Sequence, residues 1–263
     1  MVMESLNRAG MHPENQDPVK QFVIQQVGKL LVDAGVKDPG PKIEVVPASH
    51  AEKPSLGPLE QAVKEFKEKP YTPELVNKFW QTFLETSIKS QGLDIPVPIV
   101  SCDRTQEELE TLKNEDRMWI PETKLTYPQL GRIFPKMGSY AVREDSPIKD
   151  EYREDARGVD VEVNIDAPNR NTTQKDLENL FKRQGRKGMR LSTFILTSQA
   201  SKLLTNQYLD EGATWSRLLG SRRDGHVVSA SSYVRGRLVV HWRLNPRGRS
   251  SDWGGRSEGV KKA

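Results

Sequence analysis

Hydrophobic residues recur at helical spacing in three segments of the first third of the chain. The first set lies at residues 19–31 and follows Asp17-Pro18, which places an N-capping side chain before a proline at the first helical position. The second and third sets lie at residues 59–66 and 75–88. Each set covers one face of a helix and leaves the opposite face polar. The pattern therefore predicts three amphipathic helices in the N-terminal region.

In the middle of the chain the hydrophobic segments are shorter and are interrupted by proline. Prolines within residues 95–100 remove backbone donors and keep that segment extended. Ten of the sixteen residues at 143–158 are charged, which predicts a linker. Between these two segments the pattern predicts a short helix at 106–112, a strand at 118–121, one or two helical turns at 126–134 and an extended segment at 139–142.

In the C-terminal part, a segment with the two-residue hydrophobic period of a strand precedes a segment with the period of a helix. Val159, Val161, Val163 and Ile165 alternate with polar residues, as in a strand with one face buried. Thr173 begins a helix through a capping box. The remaining pattern predicts a strand at 190–197, helices at 198–208 and 214–219, and a β-hairpin formed by residues 227–234 and 238–244.

This order of elements predicts an α+β protein, with a helical N-terminal region followed by a small α/β C-terminal domain. That domain is expected to contain a sheet of about four strands and a C-terminal β-hairpin. Few large apolar residues follow Leu244, so removal of this tail is expected to leave the melting temperature nearly unchanged. The predicted organisation is a disordered arm at 1–16, a mostly helical region at 17–142, a charged linker at 143–158, a basic α/β domain at 159–244 and a disordered Arg/Gly/Ser-rich tail at 245–263.

Composition narrows the class of protein. The single cysteine, Cys102, excludes an internal disulfide framework and a multi-cysteine zinc site, which favours a reducing compartment, and we expect a cytoplasmic protein. No window has the ~18 consecutive apolar residues of a membrane span, so no membrane association is expected. Residues 1–16 are polar and have no apolar segment like that of a secretory signal.

Charge is distributed unevenly along the chain, although its formal net charge is only +4. Residues 1–178 hold 23 basic and 31 acidic side chains and carry −8, whereas residues 179–263 hold 17 basic and 5 acidic side chains and carry +12. Such segregation is typical of a protein that meets a polyanion, most often nucleic acid. The alternatives are that the cationic part docks on the chain's own acidic part or is only solvated.

Most of the C-terminal cations lie in or beside glycine-containing loops rather than beside acidic residues of a helix face. Glycine lets backbone N–H groups approach a phosphate, and a guanidinium group binds two phosphate oxygens at once. Tyr233, Trp242 and Trp253 are interleaved with these cations. The candidate nucleic-acid-binding residues are Lys182, Arg183, Arg186, Lys187, Arg190, Arg222, Arg223, Arg235, Arg237 and Arg243.

Signatures of catalysis are mostly absent, with no nucleotide-binding loop, nucleophile elbow or metalloprotease helix in the sequence. Asp160 and Glu162 share one face of the predicted strand at 159–165, and such carboxylates can hold Mg²⁺ for nuclease chemistry when a second strand adds another acid. The same spacing is also that of an ordinary solvent-facing strand. We therefore assign no catalytic residue, no metal ligand and no cofactor.

The function that the sequence favours is nucleic-acid binding by Arg/Gly-rich loops without strong sequence preference, with DNA and RNA equally open. The alternative is a structural or interaction subunit of a larger assembly whose basic C-terminal part docks on a protein partner. An enzyme that uses the Asp160–Glu162 strand ranks third.

Overall fold

The computed structural model describes residues 56–151 and 156–261. It confirms an α+β protein with N-terminal helices and C-terminal strands that include a hairpin. The arm predicted at 1–16 and the helix predicted at 19–31 lie outside the described residues. The buried apolar side chains on both sides of the predicted linker form one main cluster, which extends from Phe66 to Val240. The described helical and strand-rich parts therefore share one core.

Four helices precede the strand-rich part, and their ends follow the capping signals in the sequence. Thr72 accepts a hydrogen bond from the Leu75 amide at 3.2 Å, and Thr105 and Thr126 each form a capping box. The residue that follows Thr72 is a proline at the first helical position. These helices are α1 (Pro58–Glu68), α2 (Pro73–Ser90), α3 (Gln106–Asn114) and α4 (Tyr127–Ile133).

Aromatic side chains connect these helices to the first strand. Phe79 stacks on Phe66 with ring centres 4.3 Å apart, and Phe83 stacks on Phe134 at 5.8 Å. Trp80 is fully buried, and its indole N–H donates to the carbonyl of Trp119 at 2.9 Å. The hydrophobic face predicted for the helix at 75–88 is therefore part of the core.

The remaining elements are nine strands, two helices and two short 3₁₀ segments, counted within the residues that the structure describes. The helices are α5 (Gln174–Arg183) and α6 (Leu191–Thr205), and the 3₁₀ segments are Pro135–Met137 and Tyr140–Val142. The strands are β1 (Arg117–Pro121), β2 (Lys149–Asp150), β3 (Gly158–Glu162), β4 (Lys187–Gly188), β5 (Trp215–Arg223), β6 (His226–Ser232), β7 (Leu238–His241), β8 (Trp253–Gly255) and β9 (Ser257–Gly259).

The strands form two sheets. The first has the order β1-β3-β9-β4, and all its pairs are antiparallel. The second has the order β2-β5-β6-β7, and β8 pairs with β5 in parallel. The predicted hairpin is confirmed as β6 and β7, with Ser229 opposite His241 and Ser232 opposite Leu238. One face of this second sheet packs on α6, and α5 covers part of the other face.

Three predicted local structures are wrong. The strand predicted at 190–197 is the first part of helix α6, the helix predicted at 214–219 is strand β5, and residues 140–142 form a 3₁₀ segment rather than an extended one. Helix α6 is buried over most of its circumference, so it has no polar face to produce a helical period. Thr197 satisfies its hydroxyl by donating to the Thr193 carbonyl at 2.7 Å, one turn earlier.

The disorder predicted for the tail at 245–263 is also wrong for the residues that form β8 and β9. Arg256, Ser257 and Glu258 have no exposed surface, and β9 lies inside the first sheet, between β3 and β4. This segment buries little apolar area and is instead stabilised by backbone pairing and by buried polar contacts. Arg256, for example, contacts Asp210 at 2.8 Å and Ser216 at 2.9 Å.

We predict that truncation after Leu244 lowers the melting temperature by about 10 °C or more, or prevents folding, because it removes Glu258 from buried Arg190 and Arg256 from buried Asp210. Thermal denaturation followed by circular dichroism tests this. Removal of Lys262 and Ala263 alone is the control and is expected to have little effect. An unchanged melting temperature after the longer truncation would show that β8 and β9 are dispensable.

Candidate nucleic-acid interface

Arg190 is part of the interior rather than of a binding surface. Its side chain is 2% exposed, and its Nε lies 3.0 Å from the Glu258 carboxylate. Its Nη1 lies 2.6 Å from Glu122, an ion pair without the alignment of a hydrogen bond. Burial lowers the pKa of Arg190, but these two carboxylates outweigh burial and the pKa is raised overall. The prediction that Arg190 contacts a phosphate is therefore wrong in this fold.

Arg186 is also held by the chain's own acidic groups. It forms a short ion pair with the Asp160 carboxylate, and its Nη2 donates to the Asp160 carbonyl at 3.0 Å. Its side chain is 8% exposed and also contacts Ser257. The structure therefore places Arg186, like Arg190, inside the protein, where its role is to pair buried carboxylates.

The carboxylates considered as Mg²⁺ ligands are used in the same way. All five residues of β3 are buried, and β1 and β9 pair with this strand on either side. Glu162 accepts hydrogen bonds from the Ser257 amide at 2.8 Å and from its hydroxyl at 2.6 Å. Asp160 also lies 3.6 Å from Arg104. In the described part of the chain no group of three or more His, Cys, Asp or Glu side chains could hold a metal ion.

The end of α5 carries cations that remain exposed. Lys182, Arg183 and Lys187 are exposed and form no ion pair with any residue that the structure describes. Lys182 and Arg183 lie in the last turn of the helix, where positive charge also complements the helix dipole. They follow Phe181, which packs on Leu219 and Val227 of the second sheet. This contact places the cations of α5 at one end of that sheet.

Strand β5 brings two further predicted arginines to the same end. Arg222 is the cross-strand partner of both Lys149 and Val227, so it lies on the face that α5 covers. Its guanidinium is 3.7 Å from the exposed Glu151, a surface pair of small energetic value. Arg223 lies one residue further, at the rim of the opposite face. The end of β5 therefore presents positive charge on both sides of the sheet.

Arg223 stacks on aromatic rings. Its guanidinium carbon is 3.5 Å from the centre of the Trp242 ring and 5.5 Å from that of Tyr140. The two rings meet edge to face at 5.4 Å, and the Tyr140 hydroxyl donates to the Val240 carbonyl at 3.0 Å. Burial raises the pKa of Tyr140, and Arg223 partly offsets this. The hydroxyl thus remains a neutral donor, and the stack is fixed in place.

Arg243 follows Trp242 and is exposed. Together these residues form one surface, which we call the cationic sheet end. The described acidic side chains that pair with it are those of Glu151 and Asp224. The cationic sheet end comprises Lys149, Lys182, Arg183, Lys187, Arg222, Arg223 and Arg243.

Arg235 and Arg237 lie on a different part of the surface. They lie in the exposed turn between β6 and β7, at the far end of β6 from Arg223. Because β6 has seven residues, the two ends of the strand are about 20 Å apart. Gly236 has φ +83° and packs so closely on Tyr208 that a Cβ would lie 2.5 Å from its hydroxyl. The structure therefore does not bring all the predicted Arg/Gly-rich loops together in one surface.

Sequence reasoning missed Lys149, Tyr140 and two arginines beside it. Arg132 and Arg143 line an open groove of about 410 Å³ next to the 3₁₀ segment that contains Tyr140. Both lie in the half of the chain whose net charge is negative, so the count by halves concealed them. A local signal exists, because residues 131–143 contain three basic and no acidic side chains and include two glycines.

Comparison of the chain with protein-family models, with curated proteins and with solved structures found no match. In the part of the chain that the structure describes, no helix combines the length and the apolar character needed to cross a bilayer. Assignment of a function therefore depends on the surface itself.

We predict that Arg186→Ala lowers the free energy of unfolding by about 3 kcal/mol, because it removes the closest cation from the buried Asp160 and Glu162 carboxylates. The exposed Arg183→Ala is the matched control on the same segment and should change stability by less than about 0.5 kcal/mol. Urea denaturation measures both values. Equal stability of the two variants would contradict the internal role of Arg186.

Cys102 has the chemistry of a protected thiol. Burial raises the pKa of this thiol from its ordinary value of 9.0 to about 11. At about pH 8 the thiolate fraction is therefore lower by roughly 100-fold than in the unfolded chain, and the reaction with iodoacetamide should be slower by a similar factor. Its rate should rise with pH up to the raised pKa. A native rate equal to that in denaturing urea would show that Cys102 is not shielded.

Proposed function

We propose that the protein binds nucleic acid through the cationic sheet end, without strong sequence preference. The observation that supports this most is the stack of Arg223 on Trp242 and Tyr140, set among exposed cations that no described carboxylate neutralises except Glu151 and Asp224. Nucleic acid is bound without sequence preference by two kinds of group together: cations that contact its phosphates, and aromatic or guanidinium planes that stack on its bases.

The arrangement of the cations supports the same conclusion. They come from α5, β2, β4, β5 and the segment after β7, so they lie around one end of the sheet instead of along one helix face. A solvated helix face normally alternates cations with acidic residues at i, i+4. Phosphates and base faces are common to DNA and RNA, so we expect both to bind.

We predict that Lys182→Ala combined with Arg183→Ala weakens binding to oligonucleotides of unrelated sequence. The slope of log affinity against log salt should become less steep by about 1.5 units, because two phosphate contacts are lost. Stability should be almost unchanged, since both side chains are exposed. Fluorescence anisotropy of a labelled oligonucleotide at several KCl concentrations measures the slope.

The matched control is Lys64→Ala combined with Lys67→Ala, which removes the same charge from exposed positions on α1. Its slope should equal that of the wild-type protein. Equal slopes for both double variants would mean that binding follows net charge and not the cationic sheet end. Failure of the wild-type protein to bind any oligonucleotide at ~0.15 M salt, where distant charges are screened, would refute the proposed function.

One observation favours a second candidate, a subunit that docks on a protein partner. Tyr233 and Val234 in the turn between β6 and β7 are 54% and 68% exposed, and Arg235 and Arg237 lie beside them. An exposed apolar pair flanked by arginine is more typical of a protein contact than of a phosphate contact. This turn is far from the cationic sheet end, so the two functions are separable by mutation.

A further inference from the structure

An open groove of about 410 Å³ lies between α4 and the two 3₁₀ segments that follow it. This volume is in the range of pockets that hold small organic groups. Its apolar walls come from Pro128, Pro135 and Val142. Gly131 permits the close approach of the walls, because a Cβ at this position would lie 2.4 Å from the Val142 carbonyl. The groove is therefore a built concavity with apolar sides.

Polar groups lie at the rim and floor of this groove. Arg132 and Arg143 are exposed and form no ion pair with any described residue, although Glu144 also lines the rim. The buried Ser139 hydroxyl accepts the Ala141 amide at 3.3 Å, which leaves its own O–H free to donate. Two cations at the rim and one buried donor match a ligand that carries negative charge outside and a flat polar group inside.

One short segment of the chain contributes both to the groove and to the aromatic stack of the cationic sheet end. Tyr140 lies in the same 3₁₀ segment as Val142, one residue after Ser139, and its ring contacts Trp242 beneath Arg223. A strand that stacks a base on Arg223 would therefore lie beside the segment that also lines the groove. In a duplex the bases are stacked inside and must be flipped out at an energetic cost, so an unpaired strand inserts a base into a concavity more readily.

Resting on the proposed function, we propose that this groove receives a base of single-stranded nucleic acid, with Arg132 and Arg143 holding the adjoining phosphates. The apolar walls accommodate the flat base, and Ser139 donates to its edge. Charge complementarity commits the groove to this occupant, because Arg132 and Arg143 pair with no described acidic side chain and lie at the exposed rim, within reach of phosphates beside an inserted base. The cations of the cationic sheet end would then contact further phosphates of the same strand.

The experiment compares three probes of equal length, a labelled oligothymidylate, an abasic oligonucleotide and a duplex. The wild-type protein should bind oligothymidylate about tenfold more tightly than either of the others at ~0.15 M salt, because base contacts add to phosphate contacts. Arg132→Ala combined with Arg143→Ala should remove most of this preference. Arg143→Lys should keep the charge but recover only part of the affinity, since lysine lacks the planar fork.

Lys64→Ala with Lys67→Ala again provides the charge-matched control and should keep the full preference. No binding of any probe by the wild-type protein would overturn the proposed function itself. Equal binding of oligothymidylate and abasic probe, with the proposed function intact, would overturn the groove as a base site. Competition by an acidic peptide as strong as that by oligothymidylate, lost in the Arg132/Arg143 variant, would assign the groove to a protein instead.

Discussion

Burial of arginine is the constraint on which this fold depends. A guanidinium group removed from water is costly unless a carboxylate lies beside it with good geometry. Arg190 and Arg256 are almost completely buried, and their partners come from distant parts of the chain, namely Glu122 after β1, Asp210 after α6 and Glu258 in β9. The first sheet and α6 can therefore be stable only when the C-terminal strand is in place.

The same pairs account for part of the uneven charge along the chain. Arg186 meets Asp160 and Arg190 meets Glu122, so the basic C-terminal part neutralises acidic groups of the N-terminal part inside the protein. Docking of the cationic part on the chain's own acidic part, one of the alternatives to polyanion binding, thus holds for these residues. The cations of the cationic sheet end are those that this internal pairing leaves over, and their neighbours include the aromatic rings of Trp242 and Tyr140.

Capping and turn residues in the sequence correctly predicted the elements whose stabilising interactions join near neighbours in the chain. Caps such as Thr72 and Thr105 begin their helices, and the β6–β7 hairpin forms around Arg235-Gly236, because these interactions lie within a few residues. Helix α6 and the terminal strands could not be predicted in this way. Because α6 is buried on most sides, its sequence shows no helical period, and β9 depends on partners up to 99 residues away in β3 and β4.

The candidate site shows why residue type alone cannot separate a binding arginine from a structural one. Arg183, Arg186 and Arg190 lie within eight residues of one another around glycines, yet Arg183 is exposed and the other two are paired inside. What differs is the partner that the fold supplies, and carboxylates from β3, β9 and the segment after β1 reach Arg186 and Arg190 but not Arg183. A polyanion from outside can bind only where the fold leaves cations exposed and without a buried carboxylate partner, and for this reason we propose the exposed end of the second sheet as the binding surface.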